Sequence, residues 1–253
     1  MKEETWTIQE IRELLKKGKV QEEWLTKWKA DHRKGVQQLI RKYERELVKQ
    51  RVLEEKFAEM LVYENQYRAQ GYEWIAGCDE VGRGPLAGPV VAAAVILPTN
   101  FYLPGLNDSK KLSVKNREEF ASYIKQHALS YRVQFIEVEV IDQINILEAS
   151  KKAMYDCLTE LPRLDIALVD AVHIPNLKVP QKSIIKGDEK SVSIAAASVL
   201  AKVERDNWMK ELSEQYPEYQ FDKNNGYGTG EHIAAIRKYG ITKHHRKTFL
   251  KSI

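Results

Sequence analysis

Two adjacent carboxylates, Asp79 and Glu80, close an apolar run and lead directly into Val81-Gly82-Arg83-Gly84-Pro85-Leu86-Ala87-Gly88-Pro89-Val90. Carboxylates taken out of water need a neutralising partner, and a divalent cation supplies one. Glycines on both sides of Arg83 let the backbone approach a ligand closely and leave N–H groups free for an anion. Two more acids follow short apolar runs: Asp170 after Leu164–Val169, and Asp188 after Ser183-Ile184-Ile185-Lys186-Gly187. Hard oxygen donors with no His or Cys beside them favour Mg²⁺ or Mn²⁺ over zinc. Four carboxylates are the number needed to hold two such ions about 3.5–4 Å apart for in-line phosphoryl displacement. Each acid also has a plain reading: a solvated loop edge for Asp79 and Glu80, a loop residue for Asp170, and an N-cap for Asp188. Acids at three separate strand ends weigh against coincidence and point to phosphodiester chemistry.

Such acids meet only if a sheet gathers the carboxyl ends of its strands into one crevice. Alternation and apolar runs predict strands over 72–78, 87–97, 131–140, 164–169 and 183–187. Helices are expected over 114–128, on to about 160 before Pro162, over 189–212 with the close-packing Ala195-Ala196-Ala197, and over 231–239 before Gly240. This is an α/β domain, assigned to residues 71–253.

Residues 1–70 read as a separate helical extension. Thr7-Ile8-Gln9-Glu10 fits a capping box, and Gly18 suits a helix C-terminus. A second helix is expected over about 20–33, carrying Trp24, Leu25 and Trp28, and a longer one from Val36 to Leu61. The extension holds 16 Lys/Arg against 13 Asp/Glu, with Lys16, Lys17, Lys19, Lys27, Lys29, Arg33 and Lys34 close together. It is expected either to grip a duplex or to serve as a packing accessory.

The 253 residues carry a net charge of +4 and 43% hydrophobic residues, enough for a sizeable core. No apolar run reaches the ~18 residues of a membrane span. The polar opening Met1-Lys2-Glu3-Glu4-Thr5 lacks the apolar stretch of a secretory signal, and two cysteines make no disulfide framework. A cytoplasmic monomer is expected.

The run from Asp79 to Val90 resembles the signature of ribonuclease HII, the bacterial type 2 ribonuclease H. Asp108-Ser109-Lys110-Lys111-Leu112, Val169-Asp170, Lys186-Gly187-Asp188, the stretch Ser193–Val203 with Arg205-Asp206, and Asn225-Gly226-Tyr227-Gly228-Thr229 resemble further motifs of that family, in order. The resemblance covers about residues 72–250. It implies a ribonuclease H-like fold, a five-stranded mixed sheet flanked by helices. It also implies an endonuclease on RNA/DNA hybrids and on DNA duplexes containing ribonucleotides, with Mn²⁺ or Mg²⁺ held by Asp79, Glu80, Asp170 and Asp188. Incision would fall 5′ of a ribonucleotide, leaving a 3′-hydroxyl and a 5′-phosphate. Gly82, Arg83, Gly84 and Tyr227 would read the 2′-hydroxyl and the adjoining sugar. Lys110, Lys111, Arg205, Lys243, Arg246 and Lys247 are candidate phosphate contacts. His244 and His245 are weaker candidates for protonating a leaving group. The alternatives are ribonuclease HIII, a Holliday-junction resolvase, and a nucleic-acid-binding module with a vestigial site. Replication or repair proteins are possible further partners.

Overall fold

The computed structural model describes residues 6–18 and 20–251; Met1–Thr5 of the polar opening and Lys19 of the basic cluster lie outside them. Two compact units divide between Lys56 and Phe57, earlier than the expected boundary at 70/71. The first carries α1 (Ile8–Lys16), α2 (Glu22–Lys29) and most of α3 (Lys34–Met60). Thr7 and Glu10 form the expected capping box at the head of α1. Trp28 is buried with Ile11, Val36 and Ile40, and the rings of Trp6, Trp24 and Trp28 lie 5.5–6.2 Å apart. The tryptophans are therefore core. Of the basic cluster, Lys29 pairs with Glu44 and Arg33 with Asp31.

The second unit opens with the last turn of α3, where Phe57 and Met60 are buried against Phe101, Leu106 and Val95. It continues through α4 (Val62–Arg68), β1 (Ile75–Val81), β2 (Val90–Ile96), α5 (Val114–His127) and β3 (Ser130–Ile136). Then come α6 (Val138–Ile144), α7 (Ile146–Thr159), β4 (Ile166–Asp170), β5 (Gln181–Ile184), α8 (Val192–Gln215), α9 (Phe221–Asn224) and α10 (Gly230–Tyr239). The five strands form one mixed sheet in the order β3-β2-β1-β4-β5, with β1 antiparallel to β2 and parallel to β4.

Both faces are covered, which explains the unbroken apolar run of β2. Val91, Ala93 and Val95 join the core built with α5 and α8, while Val90, Ala92, Ala94 and Ile96 pack with α7. Helix α8 lies so close to β1 that a Cβ on Gly77 would stand 2.0 Å from the Ser193 carbonyl carbon. Glu64 of α4 caps α8, accepting bonds from the Ser191 hydroxyl and from the Ser193 hydroxyl and N–H.

The structure corrects four sequence-based boundaries. The strand expected over 131–140 ends at Ile136, because Val138 and Ile141 turn inward on a new helix. Asn145, at φ 67°, separates that helix from α7 and caps it. The strand expected from Ala87 starts at Val90, because residues 82–89 form a loop with partners of its own. Asp188 ends no strand: it sits in a 3₁₀ turn, Gly187–Glu189, and Ser191 is the cap of α8.

Candidate active site

β1 runs on past the expected end at residue 78 to Val81, and its parallel pairing with β4, in register through Cys78 and Val169, puts Asp79, two residues before the end of β1, beside Asp170, the last residue of β4. Side chains alternate along β1, so Cys78 enters the α7 face while Asp79 turns to α8 and takes a hydrogen bond from Ser198. Ser198 Oγ lies 3.1 Å from Ser109 Oγ, which anchors the 108–112 loop beside the acids. Asp170 Oδ1 accepts the Gly187 N–H at 2.7 Å, which draws the Asp188 turn toward the same crevice.

The electrostatics are those of crowded, under-neutralised acids. Asp79 is buried, and burial followed by the charges of Glu80 and Asp170 holds its carboxyl well above the usual range. Burial also raises Glu80, against the pull of Arg83, whose Nη1 is 3.3 Å from Oε1. Glu80 Oε2 is buried without a hydrogen-bond partner among the described residues. Burial raises Asp170, and it pushes Asp188 up to about 6 with help from Asp108 and Asp170. Asp108 is a buried carboxylate whose importance the sequence reading missed, although it heads the quoted Asp108-Ser109-Lys110-Lys111 stretch. Lys110 opposes this negative charge at Asp170 and Asp188.

The donor set fits hard divalent ions: oxygen only, with one buried oxygen unpartnered and excess negative charge. Among the described residues, no three His, Cys, Asp or Glu side chains are placed so that they could hold an ion together as they stand. The crevice is open, its acids supplied by three separate segments.

Of the predicted substrate-side residues, Arg83, Gly84 and Tyr227 are exposed and Gly82 is buried. A Cβ at Gly84 would lie 3.5 Å from Tyr227 Cε1, so loop and tyrosine form one surface. Lys110 and Lys111 are exposed, and Lys111 Nζ pairs with Glu189 at 2.7 Å. Lys243 and Lys247 are exposed too.

Arg205 and Arg246 are not surface phosphate contacts: both are fully buried and bonded to backbone carbonyls. Charge is visible in a sequence, but its burial is not. The two histidines have other duties as well. His244 gives its carbonyl to the Gly88 N–H, and His245 Nε2 lies 3.1 Å from His232 Nε2.

Comparison with known proteins agrees with this geometry. The family model for ribonuclease HII matches residues 76–252, and that for the ribonuclease HII N-terminal domain matches residues 7–68. Ribonuclease HII of Oceanobacillus iheyensis is 52% identical over 96% of this chain and 94% of its own length. Ribonuclease HII of Archaeoglobus fulgidus, solved in complex with PCNA, superposes at a TM-score of 0.60 and 27% identity, covering 69% of this chain and 94% of that one. The fold extends to Bst-RNase HIII, solved with Mn²⁺, at a TM-score of 0.53 and 17% identity over 70% of this chain and 67% of that one. No helix among the described residues is long and apolar enough to cross a membrane. Matched in both its segments and aligned with a relative almost end to end, the chain belongs to the ribonuclease HII family, metal-dependent endoribonucleases that hydrolyse the RNA strand of RNA/DNA hybrids.

Proposed function

We propose that Asp79, Glu80, Asp170 and Asp188 hold two divalent ions, Mg²⁺ or Mn²⁺, and that the enzyme also incises DNA duplexes on the 5′ side of an embedded ribonucleotide. The observation that carries this reading is the parallel β1–β4 pairing, which brings acids from distant segments to adjacent strand ends. When bound, the ions supply Lewis-acid charge that stabilises the scissile phosphate as it takes on negative charge. The chain's own residues do the rest. Ser198 and the Glu80 N–H orient Asp79, and the Gly187 N–H orients Asp170. Arg83 shares its charge with Glu80 at the rim. Lys110 and Lys111 contact phosphates and position the duplex without reading sequence. The Gly82-Arg83-Gly84 backbone bonds the 2′-hydroxyl, and Tyr227 packs on the next sugar, where a deoxyribose fits best. Every group named comes from one chain, so the reading needs no second copy.

An end-labelled DNA duplex with one ribonucleotide tests it. We expect a single cut 5′ of that residue, leaving a 3′-hydroxyl, and loss of at least about 10³-fold in rate in Asp79→Asn and Asp170→Asn. Cleavage of long hybrids with no cut at the single ribonucleotide would overturn the embedded-ribonucleotide reading.

A further inference from the structure

The loop between β1 and β2 is gripped from inside by two arginines that no carboxylate neutralises. Arg246 donates from Nη2 to the carbonyls of Gly82 and Gly88 at 2.6 and 2.7 Å, from Nη1 to that of Arg83 at 3.0 Å, and from Nε again to Gly88 at 3.0 Å. Arg205 donates from Nε to Pro89 at 2.9 Å, from Nη2 to Ala87 at 3.2 Å, and from Nη1 to Asn225 at 3.0 Å. Both are fully buried, and among the described residues neither makes an ion pair. Burying two like charges with only carbonyls for partners is costly, so what they hold must need holding. The fit is tight: a Cβ on Gly82, at φ +91°, would stand 2.3 Å from Arg205 Nε.

The carbonyls so held determine where the loop's donors point. In a trans peptide the C=O of one residue and the N–H of the next point in opposite directions, and the described chain has no cis bond. Anchoring the Gly82 and Arg83 carbonyls on the buried Arg246 therefore turns the N–H groups of Arg83 and Gly84 away from the core. Neither N–H donates a hydrogen bond among the described residues. Two adjacent free donors thus face outward beside Tyr227.

We propose that Arg246 is a positioning residue for substrate selection, fixing the outward aim of the Arg83 and Gly84 N–H groups on which ribose discrimination depends, while Arg205 holds the other limb of the same loop through the Ala87 and Pro89 carbonyls. This rests on the reading of Gly82–Gly84 given above. Lysine in either place keeps a charge but is a point donor, unable to hold three carbonyls in a planar fork. The effect belongs to ribose recognition and not to general duplex binding, which exposed lysines supply.

The test compares affinity for a duplex holding one ribonucleotide with affinity for the same duplex in all-DNA form, in EDTA, by fluorescence anisotropy. Wild type is expected to prefer the ribonucleotide duplex by about fivefold or more, the value of one or two hydrogen bonds. Arg246→Lys is expected to bring that ratio near one, and Arg205→Lys to lower it less, with all-DNA affinity within twofold of wild type in both. A wild-type ratio near one would refute the underlying reading of the loop. A normal wild-type ratio retained in Arg246→Lys would overturn the positioning role, and so would an equal loss on both duplexes. If the variants do not fold, hydrogen exchange in the wild-type chain decides. The bonded amides of Leu86, Ala87 and Gly88 should exchange as slowly as those of β1, and exchange within seconds would overturn the clamp.

Discussion

The second unit buries charge in two ways, and the two differ in how the charge is satisfied. At Arg205 and Arg246, seven hydrogen bonds run to backbone carbonyls, and every guanidinium nitrogen donates at least one, although burial still pulls the two groups down to about 10 and about 9. At Asp79, Glu80, Asp170 and Asp188 the charges repel one another, one oxygen has no partner, and the carboxyls are all held above their usual range. The arginines are tied to the backbone at every nitrogen and so belong to the scaffold; the crowded acids, with a bare oxygen, are the ones proposed above to hold a ligand. The distinction separates architecture from chemistry more sharply than burial alone.

The sharpest way to break the comparison is to remove one member of each kind and measure stability without metal. Arg246→Met leaves the Gly82, Arg83 and Gly88 carbonyls short of donors, at roughly 1–3 kcal/mol each where water cannot reach. We expect a total loss near 3 kcal/mol and a fall in Tm of about 6–12 °C for a chain of this size, read by calorimetry. An unchanged Tm would show that water replaces the guanidinium freely. Asp79→Asn should act the other way, holding or raising Tm by a degree or two in EDTA, because it removes a repelled buried charge. The same variant should lose the rise in Tm that saturating Mn²⁺ gives the wild type, about 2.7 kcal/mol at a hundred times Kd. A lower Tm in EDTA would place Asp79 among the stabilising charges instead.

The smallest effect concerns the histidine pair behind Tyr227. His232 Nδ1–H donates to the Tyr227 carbonyl, His245 Nε2–H donates to His232 Nε2, and the Thr242 N–H donates to His245 Nδ1, a chain consistent only with two neutral rings. Burial, then the charges of His232 and His244, pushes His245 down to about 4. The folded state thus binds fewer protons than the unfolded one between about pH 4 and 6.5, and stability falls as pH drops through that window. The raised carboxylates push oppositely, so the readout is the difference between wild-type and His245→Gln melting curves. That difference should narrow on acidification; parallel curves would mean the ring is already charged.

Much of this was legible in the sequence. Apolar runs ending in acids located the central strands and Asp79, Glu80 and Asp170, because a doubly covered sheet demands unbroken hydrophobic stretches. Asp188 was found but misplaced, since Lys186 takes a left-handed conformation that ends the strand early and no local pattern announces it. Arg205 and Arg246 looked like surface charge because their partners in the loop after β1 lie 116 to 164 residues away in the chain, beyond any spacing rule. Asp108 was hidden by the two lysines after it, which made its loop read as a basic contact.

Those long separations also bear on the order in which the molecule assembles. Asp79, Glu80, Asp170, Asp188 and the supporting Ser198 are all in place once helix α8 has been made. The loop after β1 also needs Gly226, His244 and Arg246, all of which follow α8 in the chain. Loop-closure entropy makes such contacts late and slow. During vectorial synthesis, the acids proposed to hold the ions are all made before the last partners of the loop proposed to select the substrate.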